Sequence, residues 1–80
     1  MRLDKFLKVS RVIKRRTVAN EACDTGHVTA NVKVVKASYD VKEGDIIAVT
    51  YGERTLTFRV LDVKEHAMKA DASSMYEVIN

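Results

Sequence analysis

The chain has 80 residues, 46% hydrophobic and 31% charged, with one cysteine and no proline. That composition suits one small soluble domain, is too apolar for a disordered chain, and leaves little room for a large buried catalytic cleft. No stretch approaches the roughly 20 apolar residues of a membrane span, basic residues from Lys5 to Lys14 break up any secretory leader, and a lone cysteine excludes an internal disulfide, so a cytoplasmic protein is expected.

Apolar residues at Leu3, Phe6, Leu7 and Val9 recur at three- and four-residue steps, predicting a short helix over Leu3–Val9 and a turn near Ser10. Asp4 falls in its first turn, where a carboxylate suits the helix dipole. A second helix is expected from an N-cap at Thr17, with Val18, Ala19, Ala22 and Cys23 as its apolar stripe and Gly26 as its stop. From Val28 the period becomes two. Val28, Ala30 and Val32 alternate with polar residues, and a break precedes Val34–Lys36. Ser38–Asp40 and Lys42–Asp45 are turn clusters, and Ile46–Tyr51 is a β-branched strand. Gly52-Glu53 has the form of a type II′ hairpin turn into a return strand that buries Leu56, Phe58 and Val60. Residues 64–72 read as a loop or helical turn, and Tyr76–Ile79 as a last short strand. The fold class is α+β: two short N-terminal helices on a small twisted antiparallel sheet.

Charge is concentrated at one end. Residues 1–16 carry seven basic side chains against Asp4 alone, a net of +6, while the remainder nets −3. A basic head on a mildly acidic body fits a polyanionic partner, either nucleic acid or an anionic membrane, against the alternative of a merely solvated helix face. Helix one is too short, and its cations too widely spread, for a membrane-surface helix. Arg2 precedes the first helix and Arg16 the second, so packing these ends together would make one basic patch. Arg15 and Lys5 come next, followed by Lys8, Arg11 and Lys14. Asp4 either caps the helix and orients a neighbouring arginine or accepts from a ribose hydroxyl. His27, just past the helix stop, is a further RNA-contact candidate. Cys23 reads as a buried structural thiol, and His27 and His66 lack the spacing of a metal site. The three tyrosines read as sheet or core residues. No nucleophile triad or phosphate-binding glycine loop is visible, so neither catalysis nor a cofactor is expected.

The ordered set Arg2-Leu3-Asp4-Lys5-Phe6-Leu7, Arg15-Arg16-Thr17, Ala22, Gly26-His27-Val28, Asn31 and Val41-Lys42-Glu43-Gly44-Asp45 resembles the RNA-binding domain named after small-subunit ribosomal protein S4. In that family two short helices form the RNA-facing surface. The length, the segment 8–17 and the late Ala72-x-x-Met75-Tyr76 resemble the quality-control members of its fifteen-kilodalton heat-shock protein group. The resemblance implies a ribosome-associated quality-control factor; a monomer without enzymatic activity is expected. It would bind rRNA and peptidyl-tRNA on a blocked large ribosomal subunit while RqcH adds a C-terminal alanine tail. Two alternatives remain open: rescue of blocked large subunits without tailing, and an RNA-binding accessory to an RNA-modifying enzyme. On this resemblance Arg2, Asp4, Lys5, Lys8, Arg11, Lys14, Arg15, Arg16, Thr17 and His27 form the RNA surface. One departure stands out. The family's Asn-Gly turn is Asn31-Val32 here, and because valine resists positive φ, a longer or differently bent first hairpin is expected.

Overall fold

The computed structural model describes residues 1–79, Lys69 by its backbone alone. Its elements in chain order are α1 (Leu3–Val9), α2 (Arg16–Asp24), β1 (Val28–Ala30), β2 (Lys33–Val34), β3 (Ile46–Tyr51), β4 (Arg54–Val60), α3 (Lys69–Ala72) and β5 (Tyr76–Val78). All strand pairs are antiparallel, in the order β2-β1-β3-β4-β5. The expected α+β class is what forms.

Burial follows the sequence periods with two exceptions. Val18, expected in the apolar stripe of helix two, is 49% exposed because it lies off the Ala19–Cys23 face, and Leu56 is only partly buried. Leu3, Phe6 and Leu7 of α1 and Ala19 and Cys23 of α2 are fully buried, as are Val28, Ile47, Val49 and Phe58 of the sheet. Phe58 is the hinge of this core. Its ring stacks on Phe6 at 6.2 Å between centroids and meets Tyr76 edge-on at 5.2 Å, so one side chain ties α1 to β4 and β5. The N-terminal segment is also pinned through its backbone. Leu3 N–H donates to the Tyr39 carbonyl at 2.8 Å and Val41 N–H to the Met1 carbonyl at 2.8 Å, and Arg2 bridges Asp40. The start of α1 is thereby held against residues 37–41.

Two expectations are corrected. Helix α2 begins one residue before Thr17. Arg15 is the extended cap residue (φ −119°, ψ 131°) and its carbonyl accepts from Ala19 N–H at 3.0 Å, so Thr17 lies inside the first turn and no side chain caps this end. The first hairpin is neither long nor differently bent. Ala30 pairs with Lys33 across the two-residue loop Asn31-Val32, whose φ values of 52° and 76° carry the signature of a type I′ turn. β1 accordingly stops at Ala30, short of Val32. Asn31 enforces the bend: its N–H donates to the Ile46 carbonyl (2.7 Å), its side-chain oxygen accepts from Ile46 N–H (3.0 Å), and its amide reaches Asp45 (3.2 Å). Tertiary bonding overrides valine's own preference. The Gly52-Glu53 loop, by contrast, follows its sequence: Tyr51 pairs with Arg54, and only Gly52 has positive φ, as a type II′ turn requires.

Val32 is therefore a strained, β-branched residue in the left-handed region, and it is 92% exposed, so no packing offsets the strain. Such strain costs about 1–3 kcal/mol, while glycine's extra unfolded-state entropy costs about 0.5–1 kcal/mol. Val32→Gly should stabilise the protein by about 1 kcal/mol, raising the melting temperature by about 4–8 °C for a domain of this size. Thermal unfolding followed by circular dichroism checks this, and an unchanged or lower midpoint would refute it.

Candidate nucleic-acid interface

Asp4 is the centre of the site. Its carboxylate is 2% exposed yet is fully partnered. Oδ1 accepts from Lys5 N–H at 2.8 Å and from Arg2 Nε at 3.2 Å, and Oδ2 accepts from Asn20 Nδ2 at 3.1 Å and from Arg2 Nη2 at 3.4 Å. Arg16 Nε lies 3.5 Å from the same Oδ2. Burial pushes the Asp4 carboxyl up, but the donors Asn20, Arg2, Lys5 N–H and Arg16 together outweigh it and hold the pKa below its ordinary value. Asp4 therefore remains a carboxylate and orients two arginines, one from each helix start. The ribose-acceptor alternative does not fit, because this carboxylate already receives donors on both oxygens.

The arginine side chains stay about half exposed, at 52% for Arg2 and 48% for Arg16. Each guanidinium has five N–H donors in a rigid fork. Arg16 faces Asp4 through Nε, which leaves its terminal nitrogens for an external anion. Arg2, Asp4, Arg16, Thr17 and Asn20 line an open groove of about 440 Å³. Its electrostatics defy helix convention. The first turn of α2 holds no acid, and Arg15 and Arg16 sit at its positive dipole end, where cations are unfavourable. An anion bound there would meet helix N–H groups and guanidinium groups together.

This juxtaposition falls inside the span of a family match: residues 1–47 fit the model of the S4 domain. The chain belongs to the S4 domain family. It is 53% identical to the RQC P-site tRNA stabilizing factor of Halalkalibacterium halodurans over 78 residues, covering 98% of this chain and 89% of that one. The protein of that name from Bacillus subtilis is 48% identical, covering 99% of this chain and 92% of its own. Among solved structures, "Trimeric structure of Vibrio cholerae Heat Shock Protein 15" superposes with a TM-score of 0.89 at 26% identity, covering 98% of this chain and 80% of that chain. The hypothetical protein HP1423 gives 0.85 at 30% identity, covering 100% and 98%.

Within this S4 domain the structure sorts the sequence-predicted residues into separate places. Arg2, Asp4, Arg16 and Thr17 share the groove just described. Lys5 is ion-paired with Glu65 and is only partly exposed. The Lys5 ammonium, as hydrogen-bond donor and opposite charge, holds the Glu65 carboxyl below its ordinary range. Lys8 and Arg11 line a different groove with Glu65 and His66. Lys14 and Arg15 are exposed in the connection between α1 and α2. His27 is not brought to either group. It lines a third groove, of mixed character, with Ile13, Val18, Glu21, Thr50 and Tyr51, and its Nδ1 lies 3.1 Å from Thr25 Oγ1.

Asn20 is the member of this groove that sequence reading missed. It lies four residues after Arg16, so one helical face carries both toward Asp4; a polar residue at that spacing beside the apolar stripe was the available signal. Cys23 is fully buried, and its burial, followed by the charges of Asp4 and Asp24, pushes its thiol up to about 11. Among the described residues no three His, Cys, Asp or Glu side chains group to hold a metal, and no helix is long and apolar enough to cross a membrane.

Proposed function

We propose that this protein is a non-catalytic clamp for structured RNA. It binds large ribosomal subunits that still carry peptidyl-tRNA, contacting rRNA and the P-site tRNA through the helix starts of α1 and α2, and it supports RqcH-dependent alanine tailing of the stalled chain. The observation that carries the reading is the buried Asp4 holding Arg2 and Arg16 side by side with their guanidinium groups half exposed. A-form RNA offers phosphates and 2′-hydroxyls rather than readable major-groove edges, and preset arginine forks suit that surface. The names of the relatives support tRNA at the P site as the partner. A small clamp gains avidity by touching two RNAs at once.

Arg16→Ala tests the clamp. Binding to large subunits should fall about tenfold, similarly for all RNA sequences, and the slope of log affinity against log salt should flatten by about one. A titration across salt concentrations reads both, and a wild-type slope in the variant would refute the role of Arg16. The likeness to Heat Shock Protein 15 favours a second reading, rescue of blocked subunits without tailing. Deleting the protein separates the two: alanine tails disappear under the first reading and persist under the second.

A further inference from the structure

Two acidic side chains meet the side-chain cations of the basic head, and they meet them differently. Among the described residues, Asp4 pairs with Arg2 and Arg16, and Glu65 pairs with Lys5. Asp4 is buried and receives donors on both oxygens, so it is a fixed part of the site. Glu65 reaches in from 60 residues away, and its side chain is 66% exposed against 32% for Lys5. We infer that Glu65 makes an autoinhibitory contact: its carboxylate holds the Lys5 ammonium in the free protein and gives it up to an RNA phosphate on binding. The inference rests on the RNA-clamp reading and adds a control to it.

Three observations carry it. First, the segment around Glu65 is anchored on both sides. Leu61 N–H and Asp62 N–H both donate to the Met75 carbonyl, at 2.8 and 3.2 Å, and Val63 and Ala67 pack against the core. The chain thus presents the Glu65 carboxylate to α1. Second, Glu65 also lines the groove that holds Lys8 and Arg11, so one acid stands among three of the expected RNA cations and weakens the positive potential that an incoming phosphate meets. Third, the exchange strands no charge. A phosphate oxygen offers Lys5 the same kind of anionic acceptor as a carboxylate, and a released Glu65, already largely exposed, returns to water. Displacing Asp4 from its arginines would instead leave a buried carboxylate short of partners. Lys5 is thereby the switchable cation of the head, and Arg2 and Arg16 are the permanent ones.

Glu65→Gln tests the contact because it keeps the side chain's size and removes its charge. Affinity for large ribosomal subunits carrying peptidyl-tRNA should rise about two- to fivefold, the range set by an exposed ion pair. The gain should act through Lys5. In the Lys5→Met background, which keeps most of the stem without the ammonium, Glu65→Gln should gain less than half as much on a logarithmic scale. Titrations of the four proteins at one salt concentration read this cycle. Unchanged or weaker binding by Glu65→Gln overturns the inference. A gain that keeps half or more of its size without Lys5 overturns it too, since net charge alone would then account for the effect. If Arg16→Ala still weakens binding in either case, the RNA clamp stands and only the Glu65 control falls. If Arg16→Ala binds normally as well, both fall.

Discussion

Asp4→Ala should weaken binding to the large subunit by about 10- to 100-fold even though it raises the protein's net positive charge by one. If net charge governed affinity, removing the only acid from a basic head would strengthen binding. The structure gives the opposite sign, because Asp4 anchors Arg2 and Arg16 through three of their nitrogens. Without it, two long side chains must be immobilised by the ligand itself, at about 0.5–1.5 kcal/mol each, and the shared orientation of their forks is lost. Folding stability should fall too, by about 2–3 kcal/mol, since the Asn20 amide and Lys5 N–H lose a charged acceptor in a part-buried site. The half-exposed guanidinium groups are rehydrated and add little to that cost. Stability measured against pH gives an independent check. Asp4 has a lowered pKa in the folded protein, so its contribution is complete above its unfolded value of 3.8 and is lost as pH falls through the folded pKa. The stability gap between wild type and Asp4→Ala should therefore be constant near neutrality and close in acid. Tighter subunit binding by the variant would refute the anchoring role.

Phe58→Ala should be the most destabilising single change in the sheet. Phe58 is fully buried at the junction of α1, β4 and β5, and truncating such a ring costs about 3–5 kcal/mol. An 80-residue domain has only about 4–12 kcal/mol in all. The variant should melt far below wild type or be unfolded at 37 °C, whereas Phe58→Leu, which refills most of the space, should lose much less. Urea denaturation of the three proteins decides the point; a Phe58→Ala midpoint close to wild type would mean that the core can close over the gap. The site depends on this packing because Phe6, stacked on Phe58, lies on the same short helix as Asp4.

Elements whose local and tertiary demands agree were legible in the residues. Helix α1, strand β3 and the Gly52-Glu53 turn formed where periodicity and turn chemistry put them, because each buries its own apolar stripe or uses a glycine at positive φ. The Asn31-Val32 loop was not legible, since valine opposes the turn and the bonds from Asn31 to Ile46 and Asp45, 15 and 14 residues away, impose it. The start of α2 was misplaced for a related reason. Thr17 offers a hydroxyl suited to capping, but Arg15 takes the extended cap position and Arg16 opens the helix beside Asp4. The nearness of Arg2 and Arg16 was foreseeable from their places before two helices, but the device that joins them was not. Asp4 and Asn20 are 16 residues apart, and nothing local reveals that one bonds the other. The division of the basic residues into two grooves likewise depends on residues 65 and 66 folding back beside α1, a contact across the length of the chain.

The sealed thiol of Cys23 makes the molecule its own stopwatch. Alkylating reagents attack thiolate, and this sulfur is both inaccessible and held protonated, so a folded molecule stays unlabelled. Modification requires α2 to lift from the sheet. Labelling kinetics at one natural position thus count how often α2 detaches, with no engineered probe, and a ribosomal particle bound through the proposed α1–α2 clamp should slow the count.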